Sequence, residues 1–118
     1  MISQSIDYTT EFNANNGIKI DVANWQNVVV HVSGTISGTV NVTGTNDGGA
    51  ITGSTGNSPT SSLNYTAIQV TNMATGAAAT AIAAAGNYKV INLTQYIQVG
   101  GASAATTGKV IVFLTTPV

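Results

Sequence analysis

Cysteine is missing from these 118 residues, so no disulfide and no thiolate metal site can be built. Arginine is missing too, and charge of either sign is scarce. Three lysines and four carboxylates make up 6% of the chain, where an ordinary soluble domain carries about 25%. With a net charge of −1 there is no basic patch for nucleic acid and no polybasic segment for an anionic membrane. The first dozen residues, MISQSIDYTTEF, show no basic start and no apolar run, so no secretory signal is expected. No stretch approaches the roughly 20 apolar residues that span a bilayer as a helix. With one histidine and one tryptophan, the chain is also poor in the residues that usually carry catalysis or stacking.

What is present is β-branched, hydroxylated and glycine-rich. A chain of this length points to one domain with one core. Asn27 to Thr45, NVVVHVSGTISGTVNVTGT, is the best-defined stretch. Val28, Val30 and Val32 share one parity, as do Val40 and Val42, with Thr39, Asn41 and Thr43 opposed. That is the period-2 pattern of half-buried strands. Gly34 and Gly38 bracket the reversal, so the expectation is two strands joined by a glycine turn.

Before this stretch, Ile2, Gln4, Ile6 and Tyr8 alternate, which predicts an edge strand or an extended arm over residues 1–16. Asn16-Gly17 reads as a hairpin turn, with a strand from Gly17 to Val22 paired back onto the first. The body of the domain is then residues 17–118. Trp25 is expected to cap the core.

Residues 46–62 are rich in turn formers and read as a long surface loop. A strand follows from Leu63 to Met73, its parity broken near Ala67-Ile68, a possible bulge. Ala74 to Ala85 has helical propensity, but internal Gly76, Thr75 and Thr80 and the all-β context favour a strand. A turn is expected at Gly86-Asn87, then further strands: Tyr88 to Leu93, with Tyr88, Val90 and Asn92 on one face, Gln95 to Val99, and Gly108 to Thr115. The last is apolar on both faces and is expected to be central. The fold class is therefore all-β, an antiparallel β-sandwich of about eight short strands, jelly-roll-like in their spacing.

No chemistry gathers in the pattern. His31 sits alone in a valine strand, and a catalytic base needs a positioned partner. Asp7 and Glu11 lie near the amino end without a visible supporting shell. Asp47 in a turn is one carboxylate where Ca²⁺ takes about 6–8 oxygens. No phosphate-cradling glycine motif follows a strand and opens a helix. The expectation is a protein that is not an enzyme, with no catalytic residues, no metal and no cofactor.

The order of turns and strands carries a resemblance. Trp25-Gln26-Asn27-Val28-Val29-Val30 is followed by Gly38-Thr39-Val40-Asn41-Val42-Thr43-Gly44-Thr45-Asn46-Asp47. Then come Gly86-Asn87-Tyr88-Lys89-Val90, Thr94-Gln95-Tyr96-Ile97-Gln98-Val99 and Thr107-Gly108-Lys109-Val110-Ile111-Val112-Phe113-Leu114. This succession, from Ala23 to Leu114, resembles small jelly-roll or β-sandwich virion proteins of tailed bacteriophages, among them head-decoration, cement and fibre-associated proteins. The resemblance implies a structural virion protein, made in the host cytoplasm, that self-associates as a dimer or trimer. It would stabilise the head by binding the major capsid protein or another virion protein. The near absence of charge independently favours association. The partner contact is expected on the amino-terminal segment, at Ile2, Ile6, Tyr8 and Phe12. The alternative is a fibre recognition module that stacks carbohydrate, or holds a host receptor, on Trp25, Tyr65 or Tyr96.

Overall fold

The computed structural model describes residues 2–46, 65–101 and 103–117. The expected surface loop, Asp47 included, lies outside the described residues apart from Asn46. In chain order the elements are β1 (Ile2–Asp7), α1 (Thr9–Asn15), β2 (Gly17–Asp21), β3 (Asn27–Val32), β4 (Ile36–Ser37), β5 (Val40–Thr45), β6 (Thr66–Ala67), β7 (Val70–Asn72), β8 (Ala78–Ala79), β9 (Ala81–Ile82), β10 (Gly86–Val90), β11 (Tyr96–Gly100), β12 (Ala105–Thr106) and β13 (Val110–Thr116). All pairing is antiparallel.

Two sheets face each other. The six-stranded sheet runs β1-β13-β3-β10-β7-β8. The second runs β2-β11-β5, and the free side of β5 is completed by two short pieces, β6 and β9. Alternation on each strand supplies the core. Val28, Val30, Val32, Val70, Tyr88, Val90, Val110, Val112 and Leu114 point in from the first sheet. Ile18, Ile20, Val40, Val42, Ile97 and Val99 meet them from the second. Each such side chain taken fully out of water contributes about 1.5–3 kcal/mol. β13 lies between β1 and β3, central as its two apolar faces predict.

Several local expectations are corrected. β3 and β5 are not a hairpin. They lie in opposite sheets, and the chain between them crosses the sandwich through β4, which pairs with β12. Periodicity reports which face is buried, not which partner lies alongside, so both arrangements give the same pattern. Likewise β2 does not pair with β1. β1 is hydrogen-bonded to β13, and β2 to β11 in the other sheet. Between them Asn16 is no hairpin residue: it ends α1 in the left-handed region at φ 58°, its N–H donating to the Phe12 carbonyl.

Gly17 instead opens β2 against Gly100 of β11. A Cβ on Gly100 would stand 2.3 Å from the Gly17 Cα, so the two backbones touch where no side chain fits.

The parity break at Ala67-Ile68 has a clear cause. β6 belongs to one sheet and β7 to the other, so the chain changes layer there rather than bulging. It changes layer again at Thr80, between β8 and β9. Both crossings lean on one residue of β5. Ile68 N–H donates to the Val42 carbonyl at 3.0 Å, and Val42 N–H donates to the Thr80 carbonyl at 3.1 Å. The alanine-rich stretch is thus short strand pieces, as its context predicts. Strand β10 starts at Gly86, where a turn was expected, and stops at Val90. Asn92, expected on the Tyr88 face, is exposed in the left-handed region at φ 57°.

Candidate functional site

A partner needs surface that the fold does not use, so the outer faces and the sheet edges were compared. Among the described residues three large apolar side chains are exposed: Ile2 (54%), Met73 (55%) and Phe113 (40%). Ile2 and Phe113 are on strands of the six-stranded sheet, and Met73 directly follows β7.

Register shows how the outer face is laid out. One row across the strands reads Ser5, Phe113, Val29, Lys89, Thr71, Ala78. The next reads Asp7, Ile111, His31, Asn87. Phe113, Val29 and Ile111 therefore form an apolar centre on β13 and β3, where an ordinary solvated sheet would carry polar residues. Ser5, Thr71, His31 and Asn87 surround it, with Lys89 beside Val29 and Asp7 beside Ile111. His31 Nδ1 donates to Asn87 Oδ1 at 2.9 Å, since that oxygen can only accept. This hydrogen bond lies on the outer face, so the lone histidine is a strand residue with a satisfied ring nitrogen.

The charge at the rim is sparse. Asp7 Oδ1 accepts hydrogen bonds from the Thr9 hydroxyl and N–H. The Lys109 Nζ stands 3.7 Å from its other oxygen. These bonds from Thr9, with Lys109 adding less, hold the Asp7 carboxyl below its ordinary value. The Asp7–Thr9 bonds also fix the turn from β1 into α1. Among the described residues no three His, Cys, Asp or Glu side chains come together.

The expected contact residues separate into different roles. Ile2 is exposed on β1. Ile6 is half-buried and packs on the core, as does Tyr8. Burial, with Glu11 second, pushes the Tyr8 phenol up from its ordinary value. Phe12 is the correction: it is 0% exposed, the anchor of α1 in the chain's own core, and cannot face a partner. Position 12 leaves the strand parity because the chain has turned into a helix by then. A short segment, TTEFNAN, with one large apolar residue gives no helical period to read. Tertiary bonds hold it instead: the Asn13 amide donates to the Thr106 carbonyl at 3.3 Å and accepts from its N–H at 2.9 Å.

The stacking candidates fare differently. Tyr96 points to the outer side of β11, yet is 2% exposed. Gln95 Nε2 donates to its hydroxyl at 3.0 Å. Tyr65 is close enough that Tyr96 adds to the raising of its phenol, which burial dominates. Trp25 is half-buried against the core. Tyr96 thus offers no open ring face. The exposed apolar patch that sequence reasoning missed is the Phe113-Val29-Ile111 centre. Its signal was present, since β13 is apolar on both parities and Val29 breaks the outward parity of β3, but it was spent on predicting a central strand.

No protein-family model and no curated protein matches the sequence. A solved structure does share the fold: the SPBc2 prophage-derived protein YomS, with a TM-score of 0.65 at 12% identity, over 98% of this chain and 96% of that one. At that identity the likeness is one of fold.

Proposed function

We propose that this chain is a structural virion protein of a tailed phage, and that it decorates and cements the head by binding between capsid subunits. The observation that carries the reading is the outer face of the six-stranded sheet, where Phe113, Val29 and Ile111 form an apolar centre among polar residues, with Lys89 and Asp7 as the charges beside it. Such a surface is made to be covered by protein. The fold shared with a prophage-derived protein supports the phage setting. So does the resemblance of its succession of turns and strands to small virion proteins of tailed bacteriophages, decoration and fibre-associated alike.

In this reading the chain is not an enzyme and needs no cofactor. It is made in the host cytoplasm and works by mass action. A protein that binds the assembled shell and not its unfolded subunits stabilises the shell by about 2.7 kcal/mol at a hundred times its Kd. Contacts through Phe113 and Val29 lose little when salt screens charge.

Immunogold labelling of purified particles of the parent phage tests the proposal. Gold over the head is the expected result. Gold confined to a tail tip would move the protein to a fibre role, and particles free of the chain would remove the virion reading.

A further inference from the structure

We propose that β1 pairs antiparallel with β1 of a second copy, about a two-fold axis normal to the sheet, with Gln4 opposite Gln4 of that copy. This deepens, and rests on, the reading of the six-stranded sheet as the docking element, by naming one partner for its edge.

The hydrogen bonds come first. Tyr8 N–H donates to the Val110 carbonyl at 2.8 Å, in line with the register Ile6 to Val112, Gln4 to Leu114 and Ile2 to Thr116. In an antiparallel ladder the residues that exchange bonds alternate with those that do not. The even residues of β1 therefore bond β13, and Ser3, Ser5 and Asp7 turn their N–H and C=O groups the other way. Among the described residues no strand pairs with that side.

The other sheet edges are defended. β8, β6 and β9 are two residues each, too short to template a partner. β2 carries Lys19 and Asp21. β1 is six residues, ISQSID, with no lysine and no proline, and its one charge is at the far end. It is the long edge left without a guard.

Register follows from parity. A two-fold axis normal to the sheet keeps each face on its own side, so even residues must oppose even ones. Centred on Gln4, the pairing sets Ile2 against Ile6 twice, Ser3 against Ser5 twice, and no charge against a like charge. Centred on Ser5, it sets Ile6 against Gln4 and brings Asp7 into the pairing against Ser3. The first is the self-complementary choice. It gives Ile2 an apolar neighbour on the side where Ile6 already meets the core. It also joins two copies into one sheet with both Phe113 rings on the same face, which enlarges the docking surface.

The natural lack of cysteine makes the test clean. Facing residues in a non-bonded pair stand about 4.5 Å apart at Cα, within disulfide reach. Gln4→Cys is expected to give a covalent dimer on mild oxidation, and Ser5→Cys is not. Light scattering of the unmodified chain is expected to give twice 11.9 kDa. The Ser3→Lys/Ser5→Lys variant should fall to the monomer mass, and Ser3→Glu/Ser5→Lys should return to the dimer. Circular dichroism and thermal melting check that each variant is folded. A monomeric unmodified chain, or crosslinking through position 5 and not position 4, overturns the pairing. A solution dimer absent from virions upholds it while removing the virion reading; a monomer that decorates heads does the reverse.

Discussion

The two sheets are alike inside and unlike outside. Both turn alternate valines and isoleucines into one core. On its outer face the β2-β11-β5 sheet sets Lys19, Gln98 and Thr43 in a row, with Tyr96 and Thr45 nearly closed off beside them. The six-stranded sheet turns out Phe113, Val29 and Ile111, and ends in β1, whose outer edge pairs with no strand among the described residues. Folding requires the inner pattern of both. It does not require Phe113, which gains less by staying 40% exposed than Leu114 gains beside it at 0%. An apolar outer face that the fold leaves uncovered points to work done outside the fold.

A single strand gives the sharpest contrast. Leu114→Ala, on the inner side of β13, should cost about 2–5 kcal/mol in urea unfolding. Phe113→Ser, one residue away on the outer side, should stay within about 1 kcal/mol. The second variant is nevertheless expected to lose its place on particles in a competition for occupancy. If Phe113→Ser unfolded the protein as Leu114→Ala does, the division between inner and outer roles would fail.

A smaller effect is expected at the rim of the other sheet. Gly100→Ala drives a Cβ into the Gly17 backbone at 2.3 Å and meets φ 142°, so it should destabilise by about 1–3 kcal/mol without touching the docking face. Its occupancy on particles, once folded, should match the parent protein. The smallest effect concerns pH. Asp7 has its carboxyl held below the ordinary carboxylate value in the folded state, chiefly by the Thr9 hydrogen bonds. Its contribution is present above the unfolded value and is lost as pH falls through the folded one. Asp7→Asn should flatten that acid-side slope in thermal melts, and only slightly, because the group is exposed.

Much of this division was legible in the residues. Period-2 runs identified the strands, and the two-sided apolarity of Val110 to Leu114 placed β13 inside its sheet. Partner choice was not legible. Val28 to Val32 and Val40 to Val42 obey one periodicity whether they share a sheet or face each other across the core. Asn16-Gly17 failed for a different reason: the left-handed Asn that suits a hairpin also suits the end of a helix. At the candidate site, Ile2 on the edge could be read from alternation. Phe12 could not be told from it, because nothing in TTEFNAN signals that the strand has already ended. The apolar outer face went unread because a sequence shows which residues are apolar, not which of two apolar faces is left bare.

Two lysines serve as natural reporters of which sheet docks. Lys89 is exposed on the outer face of the six-stranded sheet, and Lys19 is on the outer face of the other. Amine-reactive labelling, compared between the free chain and purified virions, reads both in one experiment. Slower labelling of Lys89 on the particle, with Lys19 unchanged, is the predicted result. Protection of Lys19 with Lys89 left open would place the contact on the wrong sheet and contradict the account.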